Sequence, residues 1–521
     1  MIKLRSVSTR HTMQLLMETS LLSTLFIFAL FLLLTSIKRT SKKTTRLPPS
    51  PPTLPVIGNL HLLGSLTHRS LRALSNQYGS LMLLHLGQIP TLVISSPEMA
   101  KEIMKTQDRT FASRPPSKAA KLILSGALDL AFRPYSEYWR QLRKLTTVHL
   151  LCAKKVQSYR LLREEEVAVM LEKIRRASSS GPVNMTKTLV TFSADVITRV
   201  VSGRNFRESG KDELFGKLVK ENNVAFAAFF FEDYFPSLAW IDELFGISTR
   251  ARRTAKRWDT AIEEVIEEHV ALREKYDDDV EEKDFIDILL SLLKKPDDET
   301  DTNISREEIK ALLMDMFAAG TETTHVTLVW AMAELVRNPE TMKKLQDEVR
   351  GTADEAKKGT LMIKEEDLER MVYLKAVIKE VLRLHPAAPL LLPHVSMEDC
   401  QIQGFHVPKN AKVLINAWAI GRDPKHWDEP EEFKPERFLN SSVDFKGNDF
   451  ELIPFGAGRR ICPGLHFAVS SMEIALANLV SGFDWELPLG MSATKMDMTE
   501  APGLTIGKKE PLCLVAKPWV F

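Results

Sequence analysis

The stretch Phe455-Gly-Ala-Gly458-Arg-Arg460-Ile-Cys462-Pro-Gly464 decides how this chain is read. It sets one cysteine in a short glycine-rich loop, with an arginine two residues before it. A thiolate that ligates iron needs such surroundings. Glycines let the backbone approach a flat macrocycle and let N–H groups point at the sulfur. Those donors stabilise the thiolate, and Arg460 can pair with a haem propionate. An apolar, helix-like run follows from about Leu465 to Leu479, and its N-terminus favours negative charge on the sulfur. A glycine-rich turn around a buried structural cysteine is the simpler alternative. Chance explains so many specified positions at this spacing poorly.

Further motifs lie upstream. Ala319-Gly320-Thr321-Glu322-Thr323-Thr324 interrupts an otherwise strong helical pattern from about Arg306 to Arg337. Glycine with β-branched and polar residues weakens a helix. The pattern predicts a mid-helix distortion that opens a groove for a ligand; a helix that merely tolerates Gly and Thr is the alternative. Glu380-Val-Leu-Arg383 places opposite charges at i, i+3 on one face, which alone reads as an ordinary surface pair. Phe433-Lys-Pro435-Glu436-Arg437-Phe438 comes later, and Trp139-Arg-Gln-Leu-Arg143 sets Trp and Arg on one helix face.

Composition fits a large enzyme. The 521 residues are 44% hydrophobic, enough for a sizeable core in one α-rich body. A net charge of +2 argues against a nucleic-acid binder. The four cysteines, Cys152, Cys400, Cys462 and Cys513, show no C-x-x-C spacing and are too sparse for a disulfide scaffold. That fits a reducing, cytosol-facing compartment.

Residues 1–14 read as an N-terminal extension and 15–37 as a transmembrane signal anchor, since Leu21–Ile37 carries no charge. Basic residues follow at once from Lys38, which puts the main body on the cytosolic side. A cleaved leader would need a small-residue cleavage site that is missing here. Residues 1–12 resemble a weak organelle transit peptide, unless translation starts at Met13 or Met17. Residues 38–58 are a basic, proline-rich hinge, with prolines at 48, 49, 51, 52 and 55 predicting a stiff connector.

The body, 59–521, reads as mainly helical with small β-sheets. A hairpin is predicted at 81–94, and a second β-rich patch at 390–416. Helical periodicity marks 96–106, 136–149, 155–177, 184–202, 211–231, 248–275, 305–337, 339–353 and 366–384. Residues 276–284 form a charge-rich break.

In this order and combination the motifs resemble those of the cytochrome P450 superfamily. Phe111-Ala-Ser-Arg-Pro115 and Tyr138-Trp139-Arg140 resemble its plant A-type, membrane-anchored branch, the 71 clan. The resemblance implies a haem-thiolate fold, with Cys462 as axial ligand of haem b and Phe455, Gly458 and Gly464 shaping its loop. It implies that Trp139, Arg143 and Arg460 contact propionates. The arginine usual after Leu-x-x-Pro is replaced by His394, whose charge would depend on pH. Thr323 would hydrogen-bond dioxygen or its water, and Glu322 would relay protons, keeping a carboxylate where many relatives carry Asp. Glu380, Arg383 and Arg437 would form a buried triad that holds the Cys462 loop.

The implied activity is insertion of one oxygen atom from O2 into a lipophilic plant metabolite, a terpenoid first and a phenylpropanoid or other aromatic second. No flavin or nicotinamide motif is present, so electrons would come from NADPH-cytochrome P450 reductase at the endoplasmic reticulum membrane. Arg140, Lys144, Lys154 and Lys155 form either a docking face for it or a solvated basic surface. Pocket walls are expected from 122–132, 224–231, 313–321, 387–392 and 503–506, with Asp129 as the one charged residue there that suggests a polar anchor. The aromatic run Phe226, Phe229, Phe230, Phe231 and Phe235, with Tyr234 and Trp240, reads as a substrate entry dipping into the membrane, or as plain core. An isomerase or dehydratase of the same fold, or a haem sensor or carrier, are the rival classes. Intact Thr323 and Glu322 argue against the first, and a sensor or carrier would need neither.

Overall fold

The structure, a computed structural model, describes residues 23, 46–207, 210–275, 284–294, 304–356 and 362–519. The predicted anchor and extension lie outside the described residues apart from Ser23, as does most of the charge-rich break. Among the described residues no helix is long and apolar enough to cross a membrane.

Among the described residues, eleven helices of ten residues or more carry the body: α1 Thr67–Tyr78, α2 Glu137–Thr146, α3 Arg160–Ser178, α4 Met185–Ser202, α5 Lys211–Ala227, α6 Ile247–Lys275, α7 Phe285–Lys294, α8 Arg306–Arg337, α9 Pro339–Ala356, α10 Val372–Leu384 and α11 Leu465–Gly482. α8 is the axis on which the others pack. It starts at a capping box: Ser305 Oγ accepts the Glu308 N–H at 3.2 Å, and the Glu308 carboxylate accepts the Ser305 N–H at 2.9 Å. α4 lies along α8 over the greatest length, and Gly320 lets it come close. A Cβ at Gly320 would stand 2.9 Å from the Ile197 side chain.

No break interrupts α8 where the pattern predicts a distortion: the helix is continuous through Ala319–Thr324. The hydroxyls of Thr323 and Thr327 donate to the carbonyls four residues back, at 2.7 and 2.9 Å, so they do not compete for the helical N–H groups. Other boundaries differ. α5 stops at Ala227, one residue past Phe226, so the rest of the aromatic run lies outside it. The 366–384 segment divides into a 3-10 turn, Glu365–Arg370, and α10. α7 was not predicted.

Three small sheets complete the fold. The first has strand order β1-β2-β7-β4, with β1 Leu81–Leu86, β2 Ile89–Ile94, β4 His394–Val395 and β7 Lys412–Ile415. β1 and β2 form the predicted hairpin, turning at Gly87 with φ 62°. Pro90 falls before the parallel ladder with β7 begins at Thr91, so its missing N–H costs no bond there. The second sheet joins β3 Val183–Asn184, β9 Cys513–Pro518 and β8 Phe483–Glu486; the third pairs β5 Cys400–Ile402 with β6 Phe405–Val407.

The proline-rich segment is fastened to the body from Arg46 onward. The Arg46 carbonyl accepts the His406 N–H and the Pro49 carbonyl the Leu83 N–H, at 2.8 and 2.9 Å. Asn59 exchanges bonds with His85 of β1: its N–H reaches the His85 carbonyl at 2.6 Å, and its side-chain oxygen accepts the His85 N–H at 2.8 Å.

Candidate active site

Cys462 lies between a 3-10 turn, Gly458–Arg460, and the start of α11. The loop closes on itself where the Cys462 N–H reaches the Phe455 carbonyl at 2.9 Å. Gly458 has φ 64°, and a Cβ there would fall 2.0 Å from the Met104 carbonyl oxygen, so only glycine fits. Gly464 differs: a Cβ would meet Sγ at 3.9 Å, an ordinary contact. Burial pushes the Cys462 thiol up, while the Gly464 N–H and the Arg143 guanidinium pull it down.

Cys462 lines an internal cavity between this loop and α8. Three cations, Arg114 and Arg460 buried and Arg143 partly so, converge on the same cavity. Arg460 donates to the carbonyls of Ala112 and Arg133, both at 2.7 Å. Arg143 donates to the Ile461 carbonyl at 2.6 Å, and Arg114 to those of Leu392 and Pro393 at 2.8 and 3.0 Å. The indole N–H of Trp139 is spent on the Leu130 carbonyl at 2.9 Å, and its ring stacks 3.9 Å under the Arg460 guanidinium. Burial and then the Arg143 charge lower Arg460 to about 9, and burial with the Arg460 charge lowers Arg114 as well. Guanidiniums that burial and each other destabilise this much call for anions in the cavity. Two propionates on one edge of a macrocycle meet that demand, so the residues present fit a haem.

His394 also lines the cavity. Its Nδ1 bonds the Phe111 carbonyl at 2.8 Å, and burial beside Arg114 holds its pKa at about 3. Burial and the neighbouring cations thus favour the neutral ring at this position.

Across the cavity, Ala319, Gly320, Glu322, Thr323 and Thr324 present one face of α8. The Thr324 hydroxyl is buried without a partner. Glu322 Oε1 accepts bonds from the Asn223 amide and the Thr505 hydroxyl, each at 3.1 Å. Apolar walls come from the expected windows: Leu124, Leu130, Phe132, Met314, Leu391 and Leu504 among them. Of the aromatic run only Phe226 reaches the cavity, stacked on Phe132 at 4.8 Å. Phe230 is core, and Phe229 stacks on Tyr234 away from the site.

Asp129 does not line the cavity but is buried behind it, with its Oδ1 left without a donor. Its neighbour is Asp315, which does line the cavity and accepts the Leu130 N–H at 2.8 Å. Burial raises both carboxyls, and Asp129 pushes Asp315 further. Burial and mutual repulsion thus favour a proton on the pair. Asp315 lay inside an expected window, yet a single acid in a helix reads as a surface residue. Arg114 was missed as well; what marks it is convergence with Arg143 and Arg460 in space.

Glu380, Arg383 and Arg437 are brought together. The Glu380 carboxylate is fully buried and accepts both Nε and Nη2 of Arg383 at 2.7 Å. Arg437 Nε and the Lys434 N–H reach the same carboxylate at 3.1 and 2.8 Å. Arg383 spends its other donors on the carbonyls of Gly421, Pro430 and Glu432.

This fold is shared with solved haem-thiolate proteins. A zebrafish cytochrome P450 solved with progesterone superposes with a TM-score of 0.72 at 27% identity, over 87% of this chain and 99% of that one. The cytochrome P450 family profile matches residues 48–514, and the chain belongs to that family. It is similar to cytochrome P450 71A1 of Persea americana, 51% identical over 88% of this chain and 91% of that protein. It is also similar to a phenylacetaldehyde oxime monooxygenase of Prunus mume, 46% identical over 95% and 94% of the two chains. The chain is thus a cytochrome P450 monooxygenase whose cofactor is haem with a thiolate ligand.

Proposed function

We propose that this monooxygenase hydroxylates a lipophilic plant metabolite at the endoplasmic reticulum, using electrons that NADPH-cytochrome P450 reductase delivers one at a time. The net reaction consumes substrate, O2, NADPH and a proton, and yields hydroxylated product, water and NADP+. The observation that carries this reading is the apolar cavity with Cys462 on one wall and Glu322 and Thr323 on the other. When bound, haem with a thiolate ligand supplies dioxygen activation, because the sulfur pushes electron density toward O–O cleavage.

The chain's own residues do the rest. Cys462 furnishes the thiolate, kept by the Gly464 N–H and Arg143. Arg114, Arg143 and Arg460 hold the propionate edge, and Trp139 props the Arg460 plane. Thr323 holds a proton-carrying water near the reacting oxygen, and Glu322 hands on protons. The Glu380 triad is structural. Arg140, Lys144 and Lys154 are exposed around the helix whose Arg143 ties it to the Cys462 loop, which suits docking of an acidic reductase close to the sulfur. Phe229, Trp240, Leu244 and Phe245 are exposed near one another in sequence and give the body a second contact with the bilayer behind the 15–37 anchor.

The apolar walls favour a terpenoid skeleton. The Phe132–Phe226 stack, with the oxime-oxidising relative, favours a small aromatic as the second reading. The test is a substrate-binding spectral screen of membrane-reconstituted protein against terpenoid and phenolic panels, followed by NADPH-dependent turnover with reductase. A binding compound is expected to give a hydroxylated product. With Thr323→Ala, NADPH is expected to appear as peroxide instead of product. Wild-type coupling in that variant refutes the role given to Thr323.

A further inference from the structure

Glu322 is only partly exposed, with 19% of its side chain accessible. Helix α5 and the segment 501–507 close over it. Asn223 of α5 uses both ends of its amide. Its oxygen accepts the N–H groups of Leu504 and Thr505 at 2.9 and 3.1 Å, and its nitrogen donates to Glu322 Oε1. That pattern fixes the orientation of the amide, since the two backbone donors require the oxygen on their side. The Thr505 hydroxyl gives the second bond to the same carboxylate oxygen. On its far side the segment is tied down: Trp330 Nε1 donates to the Ile506 carbonyl at 3.0 Å, and the Ile506 N–H reaches Ala387 at 2.9 Å. Gly503 is required by the closeness, because a Cβ there would lie 2.5 Å from the Thr505 carbonyl oxygen and 3.0 Å from the Asn223 amide.

We propose that Asn223 and Thr505 are positioning residues for Glu322, holding its carboxylate so that proton transfer proceeds only when α5 is seated on the 503–505 segment. The inference rests on the proton-transfer reading of Glu322. Two donors occupy Oε1, which leaves Oε2, 3.9 Å from His325 Nδ1, as the oxygen that takes up and releases the proton. The carboxylate stem has several rotatable bonds, and without the two donors it swings away from the cavity face that carries Thr323. Seating α5 thereby couples closure over a bound molecule to delivery of protons.

The experiment uses the membrane-reconstituted holoenzyme with reductase and the compound chosen by the spectral screen. Asn223→Ala, Thr505→Val and Thr505→Ser are compared with Glu322→Ala, each measured for product per NADPH, the solvent deuterium isotope effect on NADPH oxidation, and the spectral dissociation constant. Asn223→Ala and Thr505→Val are expected to slow turnover several-fold and enlarge the isotope effect, with affinity within about twofold. Thr505→Ser is expected to restore wild-type behaviour. Gly503→Ala, which removes no polar group, is expected to follow Asn223→Ala. In a Glu322→Ala background the first two changes should add nothing, because all act through one carboxylate. Additive losses in that background overturn the proposal, as does an effect confined to affinity. Wild-type kinetics in the two variants beside an impaired Glu322→Ala overturn it while leaving the reading of Glu322 intact. An unimpaired Glu322→Ala overturns both.

Discussion

Glu380→Ala tests the load on the buried triad. The carboxylate accepts two bonds from Arg383, one from Arg437 and one from the Lys434 backbone. Removing it leaves two guanidiniums without their counter-charge and one backbone N–H without an acceptor. Breaking a buried ion pair costs about 3–5 kcal/mol. An orphaned buried donor adds roughly 1–3 kcal/mol. The sum, about 4–8 kcal/mol, is an upper bound, since Arg383 keeps the carbonyls of Gly421, Pro430 and Glu432 and water can enter the vacated space. Against the roughly 5–15 kcal/mol that holds a domain folded, this removes most of the margin. The assay is haem content per expressed chain together with the thermal midpoint of Soret loss. Glu380→Ala is expected to yield little haem-loaded protein, and Glu380→Gln, which keeps one acceptor oxygen, an intermediate amount. Lys344→Ala, in an exposed pair with Glu436, should change nothing. If Glu380→Ala accumulates with a wild-type midpoint, the triad does not hold the Cys462 loop and the reasoning is wrong.

Further outcomes are expected. Cys462→Ser should abolish the thiolate-type spectrum of the reduced carbon monoxide complex, and survival of that spectrum would reassign the ligand. His394→Arg adds a cation beside Arg114 and Arg460 that only an anionic cofactor edge offsets, so haem transfer to apomyoglobin should be no faster than from wild type; faster loss contradicts the charge argument. Asp129 and Asp315 are raised above the ordinary carboxylate range, so the folded pair binds a proton that the unfolded chain has released. Stability therefore falls as pH rises from that range toward the raised values, by up to about 1.4 kcal/mol per pH unit for one proton. Asp315→Asn puts a permanent N–H donor where the pair holds its proton and should flatten that slope in thermal melts from pH 4 to 8; an unchanged slope refutes a proton held by the pair. Deleting residues 1–45 should release much of the protein from membranes, with a salt-insensitive remainder held by the exposed aromatic patch; a wholly soluble form rules out the second contact.

What was legible in the chain were the features set by local spacing. The Cys462 loop and the length of α8 follow from short motifs whose chemistry is carried by neighbours in sequence, whereas the pairing of Glu380 with Arg437 came only from the resemblance. Features set by closure of the fold were hidden. Arg114 matters because it ends beside Arg143 and Arg460, which lie far from it along the chain. Asn223 is one polar residue in a helix, and nothing nearby marks it as a partner of Thr505. α8 continues unbroken where Gly and Thr suggested an interruption, with the hydroxyls of Thr323 and Thr327 bonded to the preceding turn. α5 ends early where Ala228 adopts an extended conformation after Phe226, and the rest of the aromatic run packs partly into the core instead of continuing the helix.

The fastening of residues 46–59 onto β1 has a consequence for aggregation. β1 is the last strand of its sheet, and an uncovered apolar outer strand is a template on which a second chain can pair. Here its outward donors and acceptors at Leu83 and His85 are taken by Pro49 and Asn59. The covering residues are themselves proline-rich, so they offer few N–H groups to which another strand could add. The segment thus terminates the sheet. A form trimmed at residue 45 keeps that terminator, whereas one trimmed at residue 59 bares an apolar ribbon and is expected to self-associate, whatever becomes of the membrane tether.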